Sequence, residues 1–243
     1  MLSALSDILL GKIRTGAFRY RRRPWLGRAW GGPLNGQGWR CKLVAEIIIR
    51  TEPVAIVETG TFLGTSTEWF CSFQAPVWSC EASESYFGFS RQRLKSVPNA
   101  NLVLADSRTA LREVLDGPLK SAVHNTILFY LDAHWEDDLP LADEIDIIFA
   151  ACPRAVVLID DFEVPGDTGY SYDDYGPGKA LTAEYVAPSL DKFGLVIMYP
   201  KVSSDLETGA KRGCAVLTRK AMVHNILGAV SLLRSPIDAD LKA

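Results

Sequence analysis

Residues 54–70, VAIVETGTFLGTSTEWF, carry the reading from which the rest of the chain is assigned. Ala55, Ile56 and Val57 form an apolar run suited to a parallel strand buried on both faces. Glu58 ends that run. Gly60 and Gly64 allow a tight turn and a close backbone approach to a ligand, because neither carries a Cβ. Thr65, Ser66 and Thr67 are helix-capping residue types, so the turn is expected to feed a helix N-terminus with unpaired N–H groups. A strand, a glycine turn and a helix in this order build the ligand crevice of an open α/β sheet.

The turn has the form G-x-x-x-G, with Phe62 inside it. It is neither the G-x-G-x-x-G of dinucleotide binders nor a P-loop, and alone it is also a common tight connection in α/β proteins. The next two strands sharpen it. Residues 76–80, PVWSC, lead into Glu81 about 20 residues beyond the first glycine, where a carboxylate can accept both hydroxyls of a ribose. Residues 102–105 lead into Asp106 and Ser107, groups suited to an adenine edge. Three strands therefore end in Glu58, Glu81 and Asp106, with no basic clamp among these motifs. That charge pattern favours S-adenosylmethionine, with its sulfonium and ammonium groups, over NAD or ATP.

The 243 residues suffice for one α/β domain with a substantial core. At 48% hydrophobic and 23% charged, the composition is that of an ordinary globular protein. No apolar run approaches the ~18–20 residues of a membrane span. The apolar patch Ile8, Leu9 and Leu10 is followed, not preceded, by basic residues, unlike a secretory signal. Five scattered cysteines (Cys41, Cys71, Cys80, Cys152 and Cys214) without C-x-x-C argue against a disulfide framework or a zinc site, and a cytoplasmic location is expected.

The net charge of −3 conceals an asymmetry, because Arg19, Arg21, Arg22, Arg23 and Arg28 crowd the N-terminal segment. Residues 1–52 are read as a basic segment with helices, and residues 53–243 as the main domain. The basic run is either a solvated arm or a contact for an anionic partner, a membrane surface or nucleic acid. Its interleaved Phe18, Tyr20, Trp25 and Trp30 suggest packing on the main domain as a lid, and the segment is also a candidate homodimer surface. A nucleic-acid partner is not expected, since the domain itself is acidic and no base-flipping motif occurs.

Along the chain, helical patterns are expected at 3–15, 39–50, 83–95, 108–115, 141–151 and 178–190, with an irregular segment at 16–38. Further strands are expected at 126–131, ending at Asp132, and at 155–159, ending at Asp160 and Asp161. Residues 195–200 and 214–218 lack a helical crossover and read as an antiparallel pair. The expected fold is an α/β doubly wound, Rossmann-like sheet, mostly parallel with an antiparallel terminal pair. Residues 168–178, with Tyr170, Tyr172, Asp173, Asp174 and Tyr175, read as a surface loop near the acceptor.

Together these features resemble the class I S-adenosylmethionine-dependent methyltransferases. The resemblance is sharpest to the metal-dependent O-methyltransferases of the catechol, macrolide and sugar types. It rests on Glu58, Gly60, Gly64 and Ser66 in the form E-x-G-x-x-x-G-x-S, on LDAHWEDDLPL (131–141) and on VVLIDDFEVPGD (156–167). It implies that Glu58, Gly60, Gly64 and Ser66 line the methionine half of S-adenosylmethionine and that Phe62 also contacts the cofactor. Glu81 would hold the ribose, Asp106 and Ser107 the adenine, and Asp132 and Trp135 would lie beside the cofactor. It also implies Asp132, Asp160 and Asp161 as ligands of a divalent metal, with hard carboxylate oxygens suited to Mg²⁺, or to Mn²⁺ or Ca²⁺.

Two departures bear on the base. Ala133 is an additional residue, and Glu136 stands where the catechol enzymes have a lysine. His134 is therefore the first candidate for the base, because imidazole titrates near neutral pH, with Glu136 and Asp137 as alternatives. The implied reaction is methyl transfer to a small hydroxylated acceptor such as a sugar, a natural product or a catechol. The alternatives are an arginase-like metal hydrolase, suggested by Asp132-Ala133-His134, and a Rossmann-like cofactor binder that transfers no methyl group.

Overall fold

The computed structural model describes residues 11–134 and 138–234. Five parallel strands form the centre of the sheet: β1 (Ala55–Thr59), β2 (Val77–Glu81), β3 (Ala100–Leu104), β4 (Ile127–Leu131) and β5 (Val156–Asp160). β6 (Leu195–Pro200) and β7 (Cys214–Arg219) pair antiparallel, and β7 also runs antiparallel beside β5. A two-residue β8 (Leu233–Arg234) closes the edge, giving the order β3-β2-β1-β4-β5-β7-β6-β8. The strand order reverses between β1 and β4, so their carboxyl ends diverge into a crevice.

The helices are α1 (Lys12–Arg22), α2 (Gly38–Thr51), α3 (Thr65–Cys71), α4 (Glu84–Arg93), α5 (Ser107–Asp116), α6 (Leu141–Ala151), α7 (Ala183–Phe193) and α8 (Lys220–Asn225). Strand side chains alternate between two apolar layers. Ala55 and Val57 pack with Leu111 and Val114 of α5, Ile145 and Ile148 of α6 and Val186 of α7. Ile56 points the other way, into Leu43, Val44 and Ile47 of α2 and Phe70 of α3. Burial on both faces explains why β1, β4 and β5 read as unbroken apolar runs.

The N-terminal segment differs from its sequence reading. Helix α1 runs to Arg22 where an irregular segment was expected from residue 16, and 3-10 turns follow at Pro24–Gly31 and Pro33–Gly36. Gly16 is a packing residue, not a breaker. A Cβ there would meet Ser85 O at 2.0 Å, and one at Gly88 of α4 would meet Ile13 O at 2.0 Å. The two glycines let α1 and α4 cross in backbone contact, and Tyr20 then packs edge-on against Phe89 at 5.2 Å.

Helix α7 begins at Ala183, five residues later than the pattern suggested, because Thr182 is the N-cap and accepts from Tyr185 N. Residues before it are turned by the Lys179 N to Gly176 O bond. The N-terminus of α2 is capped from far along the chain: Glu207 accepts from Trp39 N at 2.9 Å and Arg40 N at 3.0 Å.

Glu144 on α6 is fully buried, and neither carboxylate oxygen has a well-formed hydrogen bond among the described residues. Burial raises its carboxyl to about 7, with Ser107 and Thr59 close enough to temper the shift. Between about pH 4.5 and about pH 7 the folded protein therefore holds a proton that the unfolded chain has lost. Stability falls as pH rises through that window. Glu144→Gln is expected to make this decline shallower, read as urea midpoints at the two ends of the window; an unchanged slope would mean that Glu144 contributes nothing to it.

Candidate functional site

The glycine turn sits at the carboxyl end of β1 and is held from below. Glu58 is buried and accepts hydrogen bonds from Thr67 Oγ1 at 2.5 Å and Ser79 Oγ at 2.6 Å. Burial raises its carboxyl to about 7, those two hydroxyls pull it down, and the Glu81 charge pushes it up again. Gly60 has φ 89°, and a Cβ on it would stand 2.3 Å from Asp132 O. The loops after β1 and β4 therefore meet backbone to backbone at Gly60. Phe62 takes φ 47°, donates its N–H to Glu81 Oε2 at 2.8 Å and packs on Tyr86 at 4.6 Å between ring centroids. Ser83 N donates to the other Glu81 oxygen at 2.8 Å. Burial raises the Glu81 carboxyl while these N–H groups draw it down, so Glu81 ties the loops after β1 and β2 together.

None of Thr65, Ser66 and Thr67 caps α3; its N-cap is Gly64 in the left-handed region. Thr65 Oγ1 donates to Gly27 O at 2.6 Å, and Ser66 Oγ accepts from Leu34 N at 3.2 Å. Arg93 adds bonds to Gly27 O and Leu63 O. The 3-10 segments at 24–36 are thereby fastened over the glycine turn. Asp106 is the N-cap of α5, accepting from Arg108 N, and also pairs with the Arg108 guanidinium at 2.9 Å. Ser107 Oγ is buried without a hydrogen-bond partner among the described residues.

Past β4 and β5 the structure gathers the acids and brings in two arginines that the sequence reading did not single out. The carboxylates of Asp132 and Asp161 and the imidazole of His134 offer ligand atoms within 4.8 Å of one another. Burial and the Asp160, Asp161 and Glu58 charges hold the Asp132 carboxyl well above its ordinary range. Asp161 leaves the strand at φ 53°, and burial beside Asp160 raises its carboxyl to about 7. His134 is 6% exposed, and burial lowers its imidazole below the usual value. Neither of its ring nitrogens has a partner among the described residues. Trp135, Glu136 and Asp137 lie outside the described residues.

Asp160, expected as a metal ligand, stands outside this group of three and is engaged by the fold. Its carboxylate pairs with the buried Arg40 guanidinium and accepts from Tyr130 OH at 2.5 Å, Asn35 Nδ2 at 3.1 Å and Asp161 N at 2.9 Å. Burial alone would raise this carboxyl; Arg40, Tyr130 and the Asp161 N–H outweigh it and hold it below the ordinary range. Arg40 shares a helical face with Leu43, Val44 and Ile47, a spacing visible in the sequence. Arg212 gave no such signal. From the loop before β7 it pairs with Asp161 at 2.6 Å and with Asp173.

Loop 168–178 lies against this cluster. Asp173 N donates to Asp161 O at 2.9 Å, Tyr175 OH donates to the Asp173 carboxylate, and Tyr170 OH is fixed on Val202 O at 3.0 Å.

Arg40→Met is expected to cost about 3–5 kcal/mol, since it leaves Asp160 charged and buried without its partner. The double substitution Arg40→Met with Asp160→Asn should recover a large part of that loss in chemical denaturation. Equal midpoints for Arg40→Met and the unaltered protein would show that the pair does not hold this region.

No family model matches the chain, and no curated protein matches it. Solved structures do. A candidate O-methyltransferase from Klebsiella pneumoniae superposes with TM-score 0.53 at 14% identity, over 89% of this chain and 94% of that one. A candidate caffeoyl-CoA O-methyltransferase from Staphylococcus aureus superposes with TM-score 0.52 at 15% identity, over 74% of this chain and 82% of that one. With the strand order and the glycine turn after β1, these likenesses identify the fold of this chain as that of the class I S-adenosylmethionine-dependent methyltransferases.

Proposed function

We propose that the protein is an S-adenosylmethionine-dependent O-methyltransferase that uses a divalent cation to act on a small hydroxylated acceptor. The observation that carries this reading is the meeting of Asp132, His134 and Asp161 beside a glycine turn whose Gly60 touches the Asp132 backbone. Two carboxylates crowded into a buried site and an imidazole with both nitrogens unpartnered among the described residues are a donor set that fits a cation. A mixed nitrogen and oxygen set suits Mn²⁺ better than Mg²⁺.

The positions that would hold the cosubstrate are the turn from Gly60 to Gly64, the Glu81 carboxylate and the Phe62–Tyr86 pair. When bound, the cosubstrate would supply an electrophilic methyl group and the cation Lewis acidity at the acceptor oxygen. The chain's own part is placement. Glu58, through Thr67 and Ser79, fixes the turn, and Glu81 locks the next loop to it, so that little reordering is left for the bound state. His134, kept neutral by burial, is either a ligand or the group that takes the acceptor proton at a ring nitrogen. Tyr172 remains available on loop 168–178 for an acceptor, since Tyr170, Asp173 and Tyr175 are engaged within the protein and the Asp174 carboxylate accepts from Gly176 N at 2.9 Å.

One observation favours a second reading. The Arg212 guanidinium already neutralises Asp161, an arrangement suited to transfer without a metal and with His134 as base.

Calorimetric titration with S-adenosylhomocysteine, with and without Mn²⁺ or Mg²⁺, tests the cosubstrate, and titration with Mn²⁺ alone tests the cation. Micromolar S-adenosylhomocysteine binding is expected, together with Mn²⁺ binding that Asp132→Asn abolishes. Binding of S-adenosylhomocysteine without any Mn²⁺ binding would select the metal-free reading. Absence of S-adenosylhomocysteine binding under every condition would overturn both.

A further inference from the structure

No Asp or Glu occurs between Lys12 and Ala45, and the basic residues at 12–28 are displayed outward, whereas Arg40 is buried. Lys12, Arg14, Arg19, Arg21, Arg22, Arg23 and Arg28 are exposed, and none of these arginines pairs with a carboxylate among the described residues. Elsewhere the structure pairs its arginines readily, as at Arg40, Arg93, Arg108 and Arg212. Such a concentration of unneutralised charge creates a positive field that attracts a polyanion.

Aromatic rings are set among these charges. Phe18 is 49% exposed and Trp25 is 63% exposed, both large for residues of their kind. Arg14, Phe18, Arg21, Arg22 and Trp25 recur at helical spacing along α1 and into the turn after it. They form one outward stripe, with the Arg22 guanidinium 5.0 Å from the Phe18 ring and Arg21 at its edge, donating to Gln92 of α4 at 3.1 Å. The opposite side of α1 is committed to α4 through Gly16 and Tyr20. Exposed Arg91 and Lys95 of the α4 region extend the positive face.

We infer that this face docks on an anionic phospholipid bilayer. Arginines would meet lipid phosphates, and Phe18 and Trp25 would enter the boundary between headgroups and acyl chains, the depth at which amphipathic rings are favoured. A nucleic acid could satisfy the charge. The outward stripe, however, is a convex helix face, so Trp25 would gain little from a duplex and much from an interface. The docking face continues directly into the 24–36 segment fastened over the glycine turn, so docking would hold the crevice close to the bilayer.

The test is co-sedimentation of the full chain with phosphatidylcholine vesicles, with and without phosphatidylglycerol, at low and at high salt. Binding is expected only with phosphatidylglycerol and is expected to weaken as salt screens the charges. Arg21→Glu with Arg22→Glu should weaken it at least about tenfold. Trp25→Ser should weaken it about several-fold. Circular dichroism melts unchanged from the parent protein would show that both variants fold. The inference is overturned by any of three results: no binding to phosphatidylglycerol vesicles, binding by the double-reversal variant as tight as the parent's, or tighter binding of an RNA duplex that Trp25→Ser leaves unchanged.

Discussion

The buried pair of Arg40 and Asp160 is the contact on which the arrangement of the crevice depends. Asp160 ends the central strand β5, and Arg40 lies in the first turn of α2, so the pair joins the sheet to the N-terminal part of the chain. Two charges taken out of water repay their desolvation only when every remaining polar atom finds a partner. Here Tyr130, Asn35 and the Asp161 N–H complete the Asp160 carboxylate, while Arg40 also donates to Arg212 O. Gln37 reinforces the junction by exchanging hydrogen bonds with the Arg212 backbone at 2.9 and 2.8 Å. The loop that carries Arg212 to Asp161 is thus placed by the same cluster that anchors α2.

The strands and their order of use were legible in the sequence because burial on both faces writes a signal that one residue type repeats. Residues 55–57, 126–131 and 155–159 are such runs, and the turn residues after them mark where side chains enter the crevice. The antiparallel pair at 195–200 and 214–218 was legible from the missing crossover helix. Boundaries near the N-terminus were not, because Gly16 has the same appearance in sequence whether it breaks a helix or lets two helices touch. Only the partner glycine at position 88, distant in the chain, distinguishes the two.

Site residues divide in the same way. The period of two along β5 puts Asp160 on the face of Val156 and Leu158, toward α2, while Asp161 turns away into the crevice. Two adjacent aspartates therefore have different surroundings, a distinction the strand pattern already contains. Arg40 was equally present in the helical spacing of α2. Arg212 was not, since it comes from an irregular loop and acquires its partners only through the tertiary fold. The engagement of Glu81, Asp106 and Ser66 with backbone groups likewise depends on where the loops after β1, β2 and β3 come to rest.

The contact between Gly60 and the Asp132 carbonyl has a thermodynamic consequence. With no side chain between them, the two backbones cannot shift independently without opening a gap or a clash. Whatever orders the turn after β1 must also order the residues after β4. Two ligands that each favour the ordered arrangement would then bind more tightly together than apart, and by the same factor in either order of addition. Glycine at position 60 thus serves as a coupling element between neighbouring parts of the crevice as well as a permissive turn residue.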